Sequence, residues 1–192
     1  MKKGKLIVIS APSGTGKSTI IGELMKDESL KLEFSISATT RPPRGSEQNG
    51  VEYYFLTLDD FRQRIDRDEF AEFHEVYEGR YYGTLKSEIE RITTKGHNVV
   101  LDLDVLGGID VKKIYGKKAL SLFIQPPSIE VLRQRLLSRG TDSIEDINNR
   151  VDRAAYELSF AGQYDCCVVN DVLAEAVEQS REIITNFIKG RK

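Results

Sequence analysis

The sequence predicts an α/β protein built on a mainly parallel sheet flanked by helices, and three observations carry that prediction. Short β-branched apolar runs recur along the chain, helical patterns separate them, and the first run leads at once into the Gly-rich turn APSGTGKS. Strands buried on both faces read as continuous apolar runs, and parallel strands need long crossovers of the kind a helix supplies.

The first strand is LIVIS (Leu6–Ser10), and the segment STIIGELMKDES after the turn has helical periodicity through Ile20, Ile21, Leu24 and Met25. A second core run, NVVLDLDV (98–105), follows the helix-like TLKSEIERITTKG, with Gly96 as its stop. ALSLFIQ (119–125) and DCCVVN (165–170) are the next runs, and a last helix spans about 172–188 with Leu173, Val177, Ile184 and Ile188 toward the core. Thr57, Ser128 and Ser143 are N-cap residues by type and spacing.

Two regions break this rhythm. Residues 36–93 mix short β-compatible stretches with Gly and charges, which predicts a small mixed α+β insert with an acceptor-sized pocket. Residues 132–155 are two helical stretches joined at Gly140 and rich in arginine, a candidate lid. The core of this single domain is then 1–35, 94–131 and 156–192.

Composition narrows the partners. At 192 residues and 40% hydrophobic content the chain buries one sizeable core. Lys plus Arg at 28 nearly balance Asp plus Glu at 30, so no global positive field marks a nucleic-acid partner. Cys166 and Cys167 are adjacent in an apolar run, which suits strand packing rather than a disulfide framework or a metal site. The basic start precedes an apolar run too short for a signal peptide or membrane span, so the expectation is a soluble, unprocessed, cytoplasmic protein with no membrane partner. His74 and His97 are too far apart for a zinc site and read as surface residues.

The turn itself is a phosphate-binding loop by position. AxxxxGKS stands where GxxxxGK[ST] is usual, and Ala11, the smallest residue with a side chain, opens it. Gly14 and Gly16 let the backbone point N–H groups inward, Lys17 reaches β- and γ-phosphates, and Ser18 places a hydroxyl on Mg2+. Ala11, Pro12, Ser13, Gly14, Thr15, Gly16, Lys17, Ser18 and Thr19 form the candidate ATP-binding segment. Asp102 and Asp104, two apart, face the same way on a strand and call for cations or donors nearby. Arg41 and Arg44 bracket a proline pair and suit the phosphate of an acceptor, while Arg135, Arg139, Arg150 and Arg153 sit in the lid region. A solvated helix face explains Arg153 equally well.

Taken in order, APSGTGKS, TTRPPRGSEQNGVEYYF, GRYYGT, LDLDVLGG, RLLSRG and VVND resemble the guanylate kinase family over essentially the full length. The resemblance implies a P-loop nucleotide-kinase fold with a GMP-binding insert and a helical lid. It implies direct in-line transfer from ATP to GMP, and to dGMP, giving GDP for purine nucleotide metabolism, with Mg2+ accompanying ATP. On the acceptor side it implicates Ser37, Arg41, Arg44, Tyr53 and Tyr82 near the base or phosphate, and Glu72, Thr84 and Asp104 in reading guanine. On the donor side it implicates Lys17, Arg135, Arg139 and Arg150 in catalysis, Asn170 near the adenine edge, and Asp102 with Ser18 at the metal. A monomer or homodimer is expected.

The chemistry agrees with that assignment. Guanine presents two donors, N1–H and the 2-amino group, which carboxylates accept, whereas adenine offers an acceptor at N1 and no amino group at C2. Two departures stand out: Ala11, and the stretch EFHEVYEGRYYGT, one residue longer than the commonest family form. Two other readings remain, a catalytically silent binding module on the same fold and a kinase for a different acceptor.

Overall fold

In the computed structural model, which describes residues 3–138, 140 and 143–191, the strands are β1 (Leu6–Ser10), β2 (Leu32–Phe34), β3 (Ala38–Thr39), β4 (Tyr54–Phe55), β5 (Phe70–Tyr77), β6 (Arg80–Leu85), β7 (Asn98–Asp102), β8 (Ala119–Gln125) and β9 (Cys166–Val169). The helices are α1 (Lys17–Met25), α2 (Leu58–Asp66), α3 (Lys86–Thr94), α4 (Val105–Tyr115), α5 (Ile129–Ser138), α6 (Ile144–Leu158) and α7 (Leu173–Lys189).

β1 is the middle of a five-stranded sheet in the order β2-β7-β1-β8-β9, and every pairing in it is parallel. Alternation sorts its side chains to two faces. Ile7 and Ile9 pack with Ile20, Leu24, Val177 and Ile184 beneath α1 and α7. Leu6 and Val8 pack with Ile89, Ile92 and Val111 beneath α3 and α4. All five residues of β1 are buried, which is why it reads as an unbroken apolar run.

The insert is a second sheet, ordered β4-β3-β6-β5, with α2 laid against it through Phe61. Its own core is Ala38, Phe61, Phe70 and Leu85, and Phe61 stacks on Phe70 at 4.3 Å between ring centroids. α3 buries Ile89 and Ile92 on the central sheet while its Glu88 accepts from the Tyr54 hydroxyl of β4 at 3.0 Å, so it links the insert to the core. The β5–β6 hairpin is irregular between Phe70 and Glu72 and between Glu75 and Tyr77, and from Glu72–Thr84 to Glu75–Tyr81 the register is unbroken.

α5 and α6 form a hairpin with a separate core of Leu132, Leu136, Ile147, Val151 and Ala154. Thr57 and Ser143 cap their helices through bonds of 3.1 Å from the amides of Asp60 and Asp146, and Ser128 accepts from Val131 at 3.1 Å. Among the described residues no helix is long and apolar enough to cross a membrane.

Ile7 has no exposed surface, whereas Ile144 is 69% exposed. Ile7→Ala is expected to lower the unfolding free energy by roughly 2–5 kcal/mol in a urea titration, and Ile144→Ala by about 0.5 kcal/mol or less. Equal losses for the two would refute the assignment of β1 to the core.

Candidate active site

Both glycines of the phosphate loop are held where side chains are strained, Gly14 at φ 93° and Gly16 at φ 90°. Space excludes a side chain as well. A Cβ on Gly14 would lie 2.9 Å from Leu136 of α5, and one on Gly16 would lie 2.5 Å from the Asn170 amide. That amide donates to the Thr15 carbonyl at 2.6 Å, while the Thr15 hydroxyl donates to the Pro12 carbonyl at 2.8 Å. Asn170 is therefore a strut under the loop, and the Thr15 hydroxyl is spent on the loop's own turn. α1 begins at Gly16 with no side-chain cap and no acid in its first turn, which leaves its positive end for an anion.

Lys17 forms an ion pair with Asp102 at the end of β7 and approaches the Leu103 carbonyl at 3.5 Å. Asp104 does not share that strand. β7 ends at Asp102, and Asp104 is the N-cap of α4, its Oδ1 accepting from the Gly107 amide at 2.8 Å. The two carboxylates meet around one site because a strand end and a helix start converge there, not because of strand alternation.

These groups line a cavity of about 830 Å³ that runs from Ala11, Pro12, Ser13, Ser18 and Thr19 to Arg150 and Arg153 of α6. Arg135 stands in an adjoining cavity of about 290 Å³ and donates to the carbonyls of Asn170 at 2.7 Å and Asp171 at 3.2 Å. Arg139 lies outside the described residues.

On the other side of Asp102 and Asp104 is a cavity of about 320 Å³ lined by Ser37, Tyr53, Glu72, His74 and Tyr82. It shares Asp102, Leu103, Asp104 and Arg153 with the larger cavity, so the two adjoin along that wall. Glu72 is 9% exposed and accepts from the Thr84 hydroxyl at 2.7 Å. Thr84 is fully buried and acts on the cavity through Glu72. Burial raises the Glu72 pKa above the ordinary carboxylate value, opposed by the Thr84 bond and the nearby His74.

Arg41 is buried and forks onto Glu47 through bonds of 2.6 and 2.7 Å, with its guanidinium over the Tyr53 ring at 4.9 Å. The Arg44 amide also donates to Glu47, at 2.8 Å. These donors hold the Glu47 carboxyl at about 2. Neither arginine lines the smaller cavity; Arg41 reaches it through Tyr53, whose ring its guanidinium covers, and through Tyr82, to which it is hydrogen-bonded. Sequence reasoning missed Glu47, and it dismissed His74 as a surface residue although its ring lines the cavity.

A glycine-shaped anion loop after the central strand of a parallel sheet, an acid at the next strand's end and an adjoining second cavity define a P-loop phosphotransferase. The guanylate kinase family profile matches residues 3–187. The chain is 58% identical to a guanylate kinase of Porphyromonas gingivalis over 96% of this chain and 98% of that one, and 57% identical to one of Bacteroides thetaiotaomicron over 96% and 90%. The crystal structure of guanylate kinase from Anaplasma phagocytophilum superposes with TM-score 0.74 at 28% identity, covering 98% of this chain and 88% of that one. The chain belongs to the guanylate kinase family, and its reaction is the ATP-dependent phosphorylation of GMP to GDP.

Gly16→Ala combines a strained φ with the Asn170 contact. It is expected to raise the KM for ATP about tenfold or more while leaving GMP binding, read by calorimetry, within about twofold. Unchanged ATP kinetics would show that the loop conformation is not required.

Proposed function

We propose that the larger cavity holds ATP and the smaller one GMP, and that the shared wall of Asp102, Leu103, Asp104 and Arg153 marks where the phosphoryl group passes between them. The observation that carries this reading is that the two cavities share the wall of Asp102, Leu103, Asp104 and Arg153, with Lys17 beside it in the larger one. Ala11 to Thr19 cradle the triphosphate, with Asn170 supporting the loop and bordering the adenine end. Ser37, Tyr53, Glu72, Tyr82 and Asp104 surround the acceptor, with Thr84 orienting Glu72, and Arg41, on leaving Glu47, joins Arg44 at its phosphate.

Guanine specificity follows from the carboxylates. Glu72 presents an acceptor to N1–H and the 2-amino group, and Asp104 keeps Oδ2 for a ligand while Oδ1 caps α4. A base without those donors leaves a buried carboxylate unpaired, which is costly. In the transfer step an acceptor phosphate oxygen attacks the γ-phosphorus in line and ADP leaves. Lys17 exchanges Asp102 for phosphate oxygens, and Arg135, Arg139 and Arg150 add positive charge as it develops.

The residues present also fit a magnesium ion carried in with ATP. Ser18 and Asp102 line the same cavity, and among the described residues no cluster of three or more acidic, His or Cys side chains forms a dedicated cage. That is the donor set of an ion that keeps most of its ligands as phosphate and water. When bound it neutralises and orients the donor phosphates.

The organisation that supports this chemistry is one domain with a core, a GMP-binding insert within 36–93 and a lid within 132–155. A cytoplasmic location and a monomeric or dimeric state complete the reading, as does use of dGMP. An intact phosphate loop and relatives of 54–58% identity named as kinases weigh against a silent binding module.

Incubation with ATP, Mg2+ and GMP, AMP, UMP or dTMP in turn, with chromatographic separation of products, tests the acceptor. Diphosphate is expected with GMP alone, and Lys17→Ala is expected to lower kcat on the order of a hundredfold or more. Equal turnover of AMP would overturn the guanine assignment. The pH profile gives a second check. Glu72 must be ionised to accept from guanine, and burial raises its pKa, so kcat/KM for GMP is expected to fall on acidification already above the usual carboxylate range near 4.3. An acid limb unchanged in Glu72→Gln would assign that titration to another group.

A further inference from the structure

His74 stands on β5 two residues beyond Glu72, opposite Tyr82 of β6, with its ring on the wall of the acceptor cavity. Its Nε2 is shielded from solvent and has no hydrogen-bond partner. Glu72 Oε2 and Asp110 Oδ2 of α4 are each 3.9 Å away, too far for a hydrogen bond but close enough to act on it. Two carboxylates facing one ring nitrogen select the form in which that nitrogen carries hydrogen, because a carboxylate only accepts. The donor is thus aimed midway between two acceptors and bonded to neither. Lys113 holds the other oxygen of Asp110 at 3.2 Å, and the Thr84 hydroxyl holds the other oxygen of Glu72 at 2.7 Å.

Glu72 is the partner with a reason to move. Its Oε2 rests on Gly107 of α4, where a Cβ would lie 3.0 Å away, so the carboxylate turns over a floor with no side chain. A guanine that draws Glu72 toward its N1–H and 2-amino donors needs the carboxylate held in the base plane.

We propose that His74 is a positioning residue for guanine selection: its Nε2–H bonds Glu72 when the base docks and holds that carboxylate in plane and ionised. The proposal rests on the assignment of Glu72 to guanine. An orphan donor becomes satisfied only in the complex, which ties its energy to recognition of the correct base. Burial and the His74 ring act on Glu72 in opposite senses, the first favouring the neutral acid and the second the carboxylate.

The test is steady-state kinetics of His74→Ala, His74→Gln and Glu72→Gln, and of the His74→Ala/Glu72→Gln double variant, with GMP and with IMP, which lacks the 2-amino group. His74→Ala is expected to raise the KM for GMP about tenfold and that for IMP about threefold or less, with kcat and the KM for ATP within about twofold. His74→Gln, which keeps a donor, is expected to stay within about threefold of the parent. In the Glu72→Gln background, removal of His74 is expected to add less than about twofold, since the histidine acts through Glu72. An unchanged KM for GMP in His74→Ala, a full tenfold effect persisting without the Glu72 carboxylate, or a parallel loss of kcat and ATP affinity would each overturn the proposal. If Glu72→Gln alone leaves the KM for GMP unchanged, the assignment of Glu72 to guanine fails, a separate result from failure of the histidine's role.

Discussion

The constraint on which the molecule depends is that all five strands of the central sheet run the same way. Their carboxyl ends therefore open on one edge, where the chain must turn into helices or loops. With β1 between β7 and β8, the turn after β1 has the end of β7 beside it and the end of β9 within reach. Lys17 meets Asp102 and Thr15 meets Asn170 for that reason, although these partners are far apart in sequence. No local pattern could bring them together without the strand order.

Around that edge the protein keeps charge in matched pairs rather than as a field. The net charge of -2 hides a local arrangement in which Lys17 answers Asp102 and Arg41 answers Glu47. Two carboxylates stand apart: Asp104 accepts from the Gly107 amide, and Glu72 is held chiefly by a neutral hydroxyl, with burial favouring its neutral form. Under the proposed assignment, a paired site exchanges one partner for another when its substrate arrives, whereas Glu72 gains partners it lacked. This asymmetry separates the phosphate-binding half of the chemistry from the base-reading half.

The sequence was legible where burial imposed a simple pattern. β1, β7 and β8 are continuous apolar runs because both sheet faces are covered, β9 reads as apolar although at the sheet edge it leaves Cys167 and Val169 exposed, and the caps at Thr57, Ser128 and Ser143 follow from local hydrogen bonding. The two-residue strands β3 and β4 and the three-residue β2 left no such mark, since they exist only through pairing with distant partners. Asp104 was placed on a strand because the end of β7 depends on where α4 starts, which the alternating LDLDV pattern does not reveal. Lys17 was found from its motif, Asp104 from its spacing to Asp102, and Glu72 from the resemblance to the guanylate kinase family. Glu47 and His74 were missed because a glutamate in a charged turn and a lone histidine on a strand gain meaning only from what the fold sets against them.

Leu132 and Leu136 are fully buried and lie over Gly14, where the missing side chain makes room for them. The same two leucines anchor the core shared by α5 and α6. A close-packed contact transmits displacement instead of absorbing it. The hairpin that carries Arg135 and Arg150 thus has its core seated directly on the glycine loop, with Arg135 between the two leucines that touch it. A side chain at position 14 would therefore press on the packing of the hairpin as well as on the turn it occupies.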